Sequence, residues 1–216
     1  MPRKLVVTEY VSLDGVVEDP VGMEGSGLGD GTGPFSRGPA GDAFKHDELF
    51  ESDALLLGRT TYEAFAAVWP TVKDDTGFAE RINRMQKYVV SNDLSTADWS
   101  NTQILRSTYI EDVKALKQRP GGNILIYGSP SLVGPLGGQG LIEEYRLMTY
   151  PVVLGSGKRL FPESLKLDLK LLECRQLGSG IILSRYESLL AHKGDSENES
   201  DLSQVMTAAR GRGPRS

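Results

Sequence analysis

Residues 55–65 read LLLGRTTYEAF. With Ala54, the leucines make an apolar run too short for an ordinary buried helix and suited to a strand covered on both faces. Gly58 permits a tight turn at its end. The residues that follow, TTYEAFAAVW (60–69), carry apolar side chains at helical spacing and stop at Pro70. The stretch therefore predicts strand, turn and helix, the unit from which α/β sheets are built. Thr60 and Glu63 stand at capping-box spacing, which makes Thr60 the expected N-cap. A helix start offers free backbone N–H groups and a partial positive charge, and Arg59 adds a fork of donors suited to phosphate. The joint reads as an anion seat. A surface salt bridge at Arg59 with simple capping by Thr60 is the other reading of the same residues.

The pattern recurs at ILIYGSPSLV (124–133). A buried strand ends at Gly128, Ser129 is the expected N-cap, Pro130 suits the first helical position, and Ser131 adds a hydroxyl to the first turn. This is a second seat for phosphate, or a plain strand-to-helix joint of the kind common in α/β proteins. A third strand, KYVVS (87–91), ends at Ser91-Asn92. Strand ends on one side of a parallel sheet form the usual ligand crevice.

Working outward, residues 4–11 predict a first strand closed by a turn at Asp14-Gly15. Residues 20–41 are rich in glycine and proline and predict a long functional loop. A short helix is expected over 42–51, with Phe44, Leu49 and Phe50 as its apolar positions. Further helices are expected over 78–86, 110–118 and from 129, and a strand over 102–105. A long strand falls within 141–154, Gly155–Gly157 interrupt it, and 169–187 reads as a closing hairpin. The alternation predicts one α/β domain over 1–190, with a mainly parallel sheet that gains antiparallel strands at its C-terminal side. The polar segment 191–216 reads as a disordered tail.

Composition excludes several classes. The 216 residues carry a net charge of −5, which gives no general attraction to nucleic acid or to an anionic membrane. Cys174 is the single cysteine, so neither an intrachain disulfide nor a cysteine zinc cluster can form, and a reducing, cytoplasmic setting is expected. No stretch reaches the ~20 apolar residues of a membrane span, and MPRKLVVTEYVSLDG fits a first strand better than a signal peptide. LGSGKRLF (154–161) fails as a phosphate-binding P-loop because Val152 and Arg159 stand at the required Gly and Ser/Thr positions. GSGLGDGTG (25–33) does not fit the Rossmann glycine spacing. His46 and His192 lie far apart in sequence, and no metal site is expected.

The order VVTEYVSLDGVVED, LLLGRTTYEAF, YVVSNDL, ILIYGSPSLV and LIEEYRLMTYPVVLGSGKRLFP resembles the dihydrofolate reductase-like family. Within it, the chain is most similar to stand-alone proteins related to the reductase domain of riboflavin biosynthesis. The resemblance spans residues 3–187. It implies a three-layer fold with a central mixed, mostly parallel sheet flanked by helices, NADPH as hydride donor, a small-molecule substrate and a homodimer.

Position by position, the resemblance places Gly58, Arg59, Thr60 and Thr61 at the 2′-phosphate and pyrophosphate, and Ser91 and Asn92 beside the adenine ribose. Gly128, Ser129, Ser131 and Leu132 match the second turn under the pyrophosphate, with Ser129 where many relatives have a second glycine. Val17 falls near the nicotinamide, Gly155, Gly157 and Leu160 in the loop after the strand that carries Thr149, and Thr149 beside the substrate. Ungapped counting puts Asp42 at the position of the catalytic carboxylate, with His46 one turn on; Asp42 also suits a helix N-cap, and Asp14 a turn. The P-C-x-x-C that a zinc deaminase needs is missing, since Cys174 is the single cysteine. The implied activity is NADPH-dependent reduction of a C=N or C=O bond in a small, pterin- or pyrimidine-like molecule. Genuine dihydrofolate reduction and NADP(H) binding without catalysis are the alternatives.

Overall fold

The computed structural model describes residues 3–28 and 31–191. The expected tail, save Ala191, lies outside the described residues. Eight strands form one sheet in the order β4-β3-β2-β5-β1-β6-β8-β7. Six belong to the α/β alternation: β1 (Leu5–Ser12), β2 (Ser52–Gly58), β3 (Gln86–Val90), β4 (Thr102–Leu105), β5 (Asn123–Tyr127) and β6 (Glu144–Tyr150). These pair in parallel, whereas β8 (Ile181–Ser188) runs antiparallel to both β6 and β7 (Leu169–Leu177). The mixed, mostly parallel sheet is the expected one.

Both faces of the sheet are covered, which explains the unbroken leucine run. Successive side chains of a strand point to opposite faces. Leu56 therefore joins Leu5, Val7 and Ile126 in a core shared with α4 (Tyr109–Lys117) and α5 (Pro130–Gly138). Leu55 and Leu57 join Val6 and Leu125 on the other face, against α1 (Gly38–Phe50), α2 (Arg59–Val68) and α3 (Phe78–Arg84). A third cluster, built on Met148, Tyr150 and Leu183, packs Phe35 and Phe44 onto the β6–β8 end.

Three helix starts differ from the sequence expectation. α1 begins at Gly38, four residues early, because Gly38 adopts the left-handed conformation (φ 66°) and Pro39 suits a first turn. Asp42 thus sits inside the helix and is not its N-cap. Phe50, one of the apolar positions, is exposed and stacks on His46. α2 begins at Arg59 with Gly58 in the N-cap position, so Thr60 makes no cap and Glu63 pairs with Arg59 instead. At α5, Ser129 does hold the N-cap position, but its side chain makes no capping bond. No helix among the described residues is long and apolar enough to cross a membrane.

Candidate functional site

The carboxyl ends of β2 and β5 are neighbours in the sheet, and the turns that follow them are tied together. The Gly58 amide donates to Ser129 Oγ at 2.8 Å, and that hydroxyl donates to the Tyr127 carbonyl at 3.1 Å. The serine hydroxyl is used across the joint and so is lost to its own helix. Gly128 and Ser129 both lie in the left-handed region, with φ of 56° and 62°. A Cβ on Gly128 would stand 2.8 Å from Thr61 Oγ1, closer than real Cβ contacts come, so glycine lets the α2 start and the β5 turn approach. Ser129 fastens that approach.

These turns form one end of a cleft of about 1250 Å³. Gly58, Arg59, Thr60, Thr61, Gly128, Ser129 and Ser131 line that end, and Val17, Asp42 and His46 line other parts of the same cleft. The Arg59 guanidinium is half exposed, pairing with Glu63 at 3.0 Å and with Asp93 at 3.5 Å. Asp93 belongs to the turn after β3, where Ser91 Oγ accepts the amides of Asp93 and Leu94. Ser91 is thus occupied in shaping its turn, Asn92 is exposed beside it, and neither lines the cleft. Leu132 is a core residue on the buried side of α5.

The Asp14 turn supports Val17 from behind. Asp14 accepts the Ser12 hydroxyl at 2.6 Å and the amides of Leu154 and Gly155 at 3.1 and 2.9 Å, and these bonds hold its carboxyl down at about 2. Val17 donates its amide to the Lys158 carbonyl at 2.9 Å. Gly155 belongs to this support and does not line the cleft, and Leu160 is buried in the core below.

The expected catalytic residues fall differently. Asp42 pairs with Arg37 at 2.8 Å and its side chain is 63% exposed. His46 stacks on Phe50 with ring centroids 4.1 Å apart. Both line the cleft, but neither is its buried group. Thr149 does not line it, because strand alternation sends Met148 and Tyr150 to the cleft side and Thr149 to the opposite face. Tyr150 lines the cleft in its place.

A buried polar cluster at the cleft escaped the sequence reading. Lys45 Nζ donates to Thr8 Oγ1 at 3.0 Å, pairs with Glu48, and lies 4.5 Å from the Tyr127 ring centroid and 5.2 Å from that of Tyr10. Glu48 also accepts the hydroxyls of Thr8 at 3.0 Å and Tyr127 at 3.2 Å, with Arg146 3.8 Å away. Burial pushes the Lys45 ammonium below the ordinary lysine range, against the pull of Glu48. Burial pushes the Tyr10 hydroxyl up to about 12 and also raises the Tyr127 hydroxyl well above the ordinary tyrosine value. Glu9, also lining the cleft, is fully buried, and desolvation holds its carboxyl well above the usual range. Gly41, Lys45, Glu48 and Leu49 share the buried stripe of α1, and charges on such a stripe are rarely there unpaired.

Residues 3–183 match the RibD C-terminal domain family. The chain belongs to this family. A curated relative, the uncharacterized protein YyaP of Bacillus subtilis (strain 168), is 29% identical over 184 residues, 83% of this chain and 92% of that protein. A pyrimidine reductase-like protein of Corynebacterium diphtheriae has a similar structure, with a TM-score of 0.59 at 16% identity over 87% of this chain and 92% of that one. The dihydrofolate reductase of Enterococcus faecalis, in complex with NADP(H), follows with a TM-score of 0.53 at 13% identity, over 86% and 96%. The RibD C-terminal domain seen here thus has a dihydrofolate reductase-like fold. Its cleft opens where an α/β sheet normally binds ligands, at strand carboxyl ends.

Proposed function

We propose that this RibD C-terminal domain is an NADPH-dependent reductase acting on a C=N or C=O bond of a small, flat molecule of pterin or pyrimidine type. The observation that carries this reading is the Gly58–Ser129 bond, which joins two helix starts into one donor surface beside Arg59. Backbone N–H groups at two helix starts and a guanidinium suit a pyrophosphate and a 2′-phosphate. Bound NADPH would supply the hydride. Arg59, Thr60 and Thr61 hold its adenosine phosphate, and the Gly128–Ser131 turn seats its pyrophosphate. Val17 and the Asp14 turn border the nicotinamide. Phe65, Trp69 and Tyr150 wall the cleft, and such apolar walls align a flat acceptor and keep water out.

Dihydrofolate reduction itself draws less support, since Asp42 is exposed and tied to Arg37. The test is a fluorescence titration with NADPH and with NADH, followed by NADPH oxidation in the presence of pterins, ribityl-pyrimidines, imines and quinones. Preferential NADPH binding and turnover of one acceptor class are expected. Equal, weak binding of both nucleotides would end the proposal.

A further inference from the structure

Resting on the reductase reading, we propose that Lys45 is the proton donor, hydrogen-bonding the nitrogen or oxygen of the acceptor bond and protonating it. Lys45 lines the cleft and its side chain is 8% exposed. An ammonium has three N–H groups; Thr8 and Glu48 take two, and the third is available to a bound acceptor. The rings of Tyr10 and Tyr127 flank it and favour the cation. Asp42 and His46, by contrast, are exposed and engaged with Arg37 and Phe50.

The step balances. Bound NADPH would supply the hydride to the carbon of the C=N or C=O bond and would itself be left oxidised. The π electron pair moves onto the heteroatom, which takes a proton from Lys45, and the neutral amine regains a proton from water. A general acid works best when its pKa lies near the working pH, and burial moves Lys45 in that direction. The groups facing it are Thr8, Glu9 and Tyr10 from β1, Arg37 and Glu48 from α1 and its approach, and Tyr127 from β5; Arg146 from β6 acts through Glu48. Arg37 lowers the proton affinity of Lys45, while Glu48 and Glu9 raise it.

Three readouts test the assignment. First, a ¹⁵N NMR titration of lysine Nζ in the free protein should place Lys45 below the ordinary value of about 10.4. Second, Lys45→Met should bind NADPH as the wild type does, by fluorescence, yet reduce 6,7-dimethyl-7,8-dihydropterin or 1-pyrroline about 100-fold more slowly. Third, ethylamine should restore rate to Lys45→Ala and leave the wild type unchanged, a response that lost structural support would not give. A Lys45 that titrates at or above the ordinary value, or a Lys45→Met enzyme with wild-type turnover, overturns this assignment alone. A wild type that oxidises NADPH with no acceptor overturns it together with the reductase reading.

Discussion

The Gly58 amide and the Ser129 hydroxyl, 71 residues apart in the chain, meet at 2.8 Å and hold two helix starts together. Neither side chain nor amide is spare: the amide is buried and would otherwise lack an acceptor, and the hydroxyl passes its own hydrogen to the Tyr127 carbonyl. The bond converts two ordinary strand-to-helix joints into one end of the cleft.

Replacing Ser129 by alanine leaves the buried Gly58 N–H unpaired. The expected loss is about 1–3 kcal/mol of stability, measured by urea unfolding, with a parallel weakening of NADPH binding.

Gly128→Ala tests the close approach of the two turns. The new methyl group meets Thr61 Oγ1 at 2.8 Å in a backbone with φ of 56°, so both space and conformation oppose it. A left-handed alanine alone costs roughly 1–2 kcal/mol. The double variant Gly128→Ala with Thr61→Ala should recover only the steric share, because the conformational cost remains.

Asp14 supplies a pH dependence with a defined sign. Its folded-state pKa is lowered to about 2 by the Ser12 hydroxyl and the amides of Leu154 and Gly155. The unfolded value is about 3.9, so its contribution is fully present above pH ~4 and lost as pH falls toward 2. The stability difference between the wild type and Asp14→Asn should shrink across that window. A ¹³C titration of the carboxyl reads the pKa directly.

The sheet was legible because its strands are short apolar runs separated by glycine turns, and burial on both faces leaves no other use for Leu55, Leu56 and Leu57. Helix starts were not legible to the residue. Thr60 and Glu63 had the right spacing for a capping box, but Arg59 entered the helix and took Glu63 as its i+4 partner. Asp42 looked like a cap because Gly38 and Pro39 can either end a loop or open a helix. Of the cleft, the glycine turns were readable because backbone approach demands glycine. Lys45 and Glu48 were not legible, since local spacing alone does not tell a buried i,i+3 pair from a solvated one. Thr149 missed by one residue, and in a strand one residue is the other face.

Arg59 is the residue on which the cofactor proposal turns. The most direct test compares NADPH and NADH affinities, by fluorescence titration at one ionic strength, for the wild type and Arg59→Ala. A charge-assisted contact to the 2′-phosphate is worth about 1.5–3 kcal/mol, or roughly tenfold or more in Kd. The expected result is a wild type that favours NADPH by that factor and an alanine variant that binds the two nucleotides alike. An NADPH preference that survives in Arg59→Ala, or one that the wild type never shows, contradicts the account.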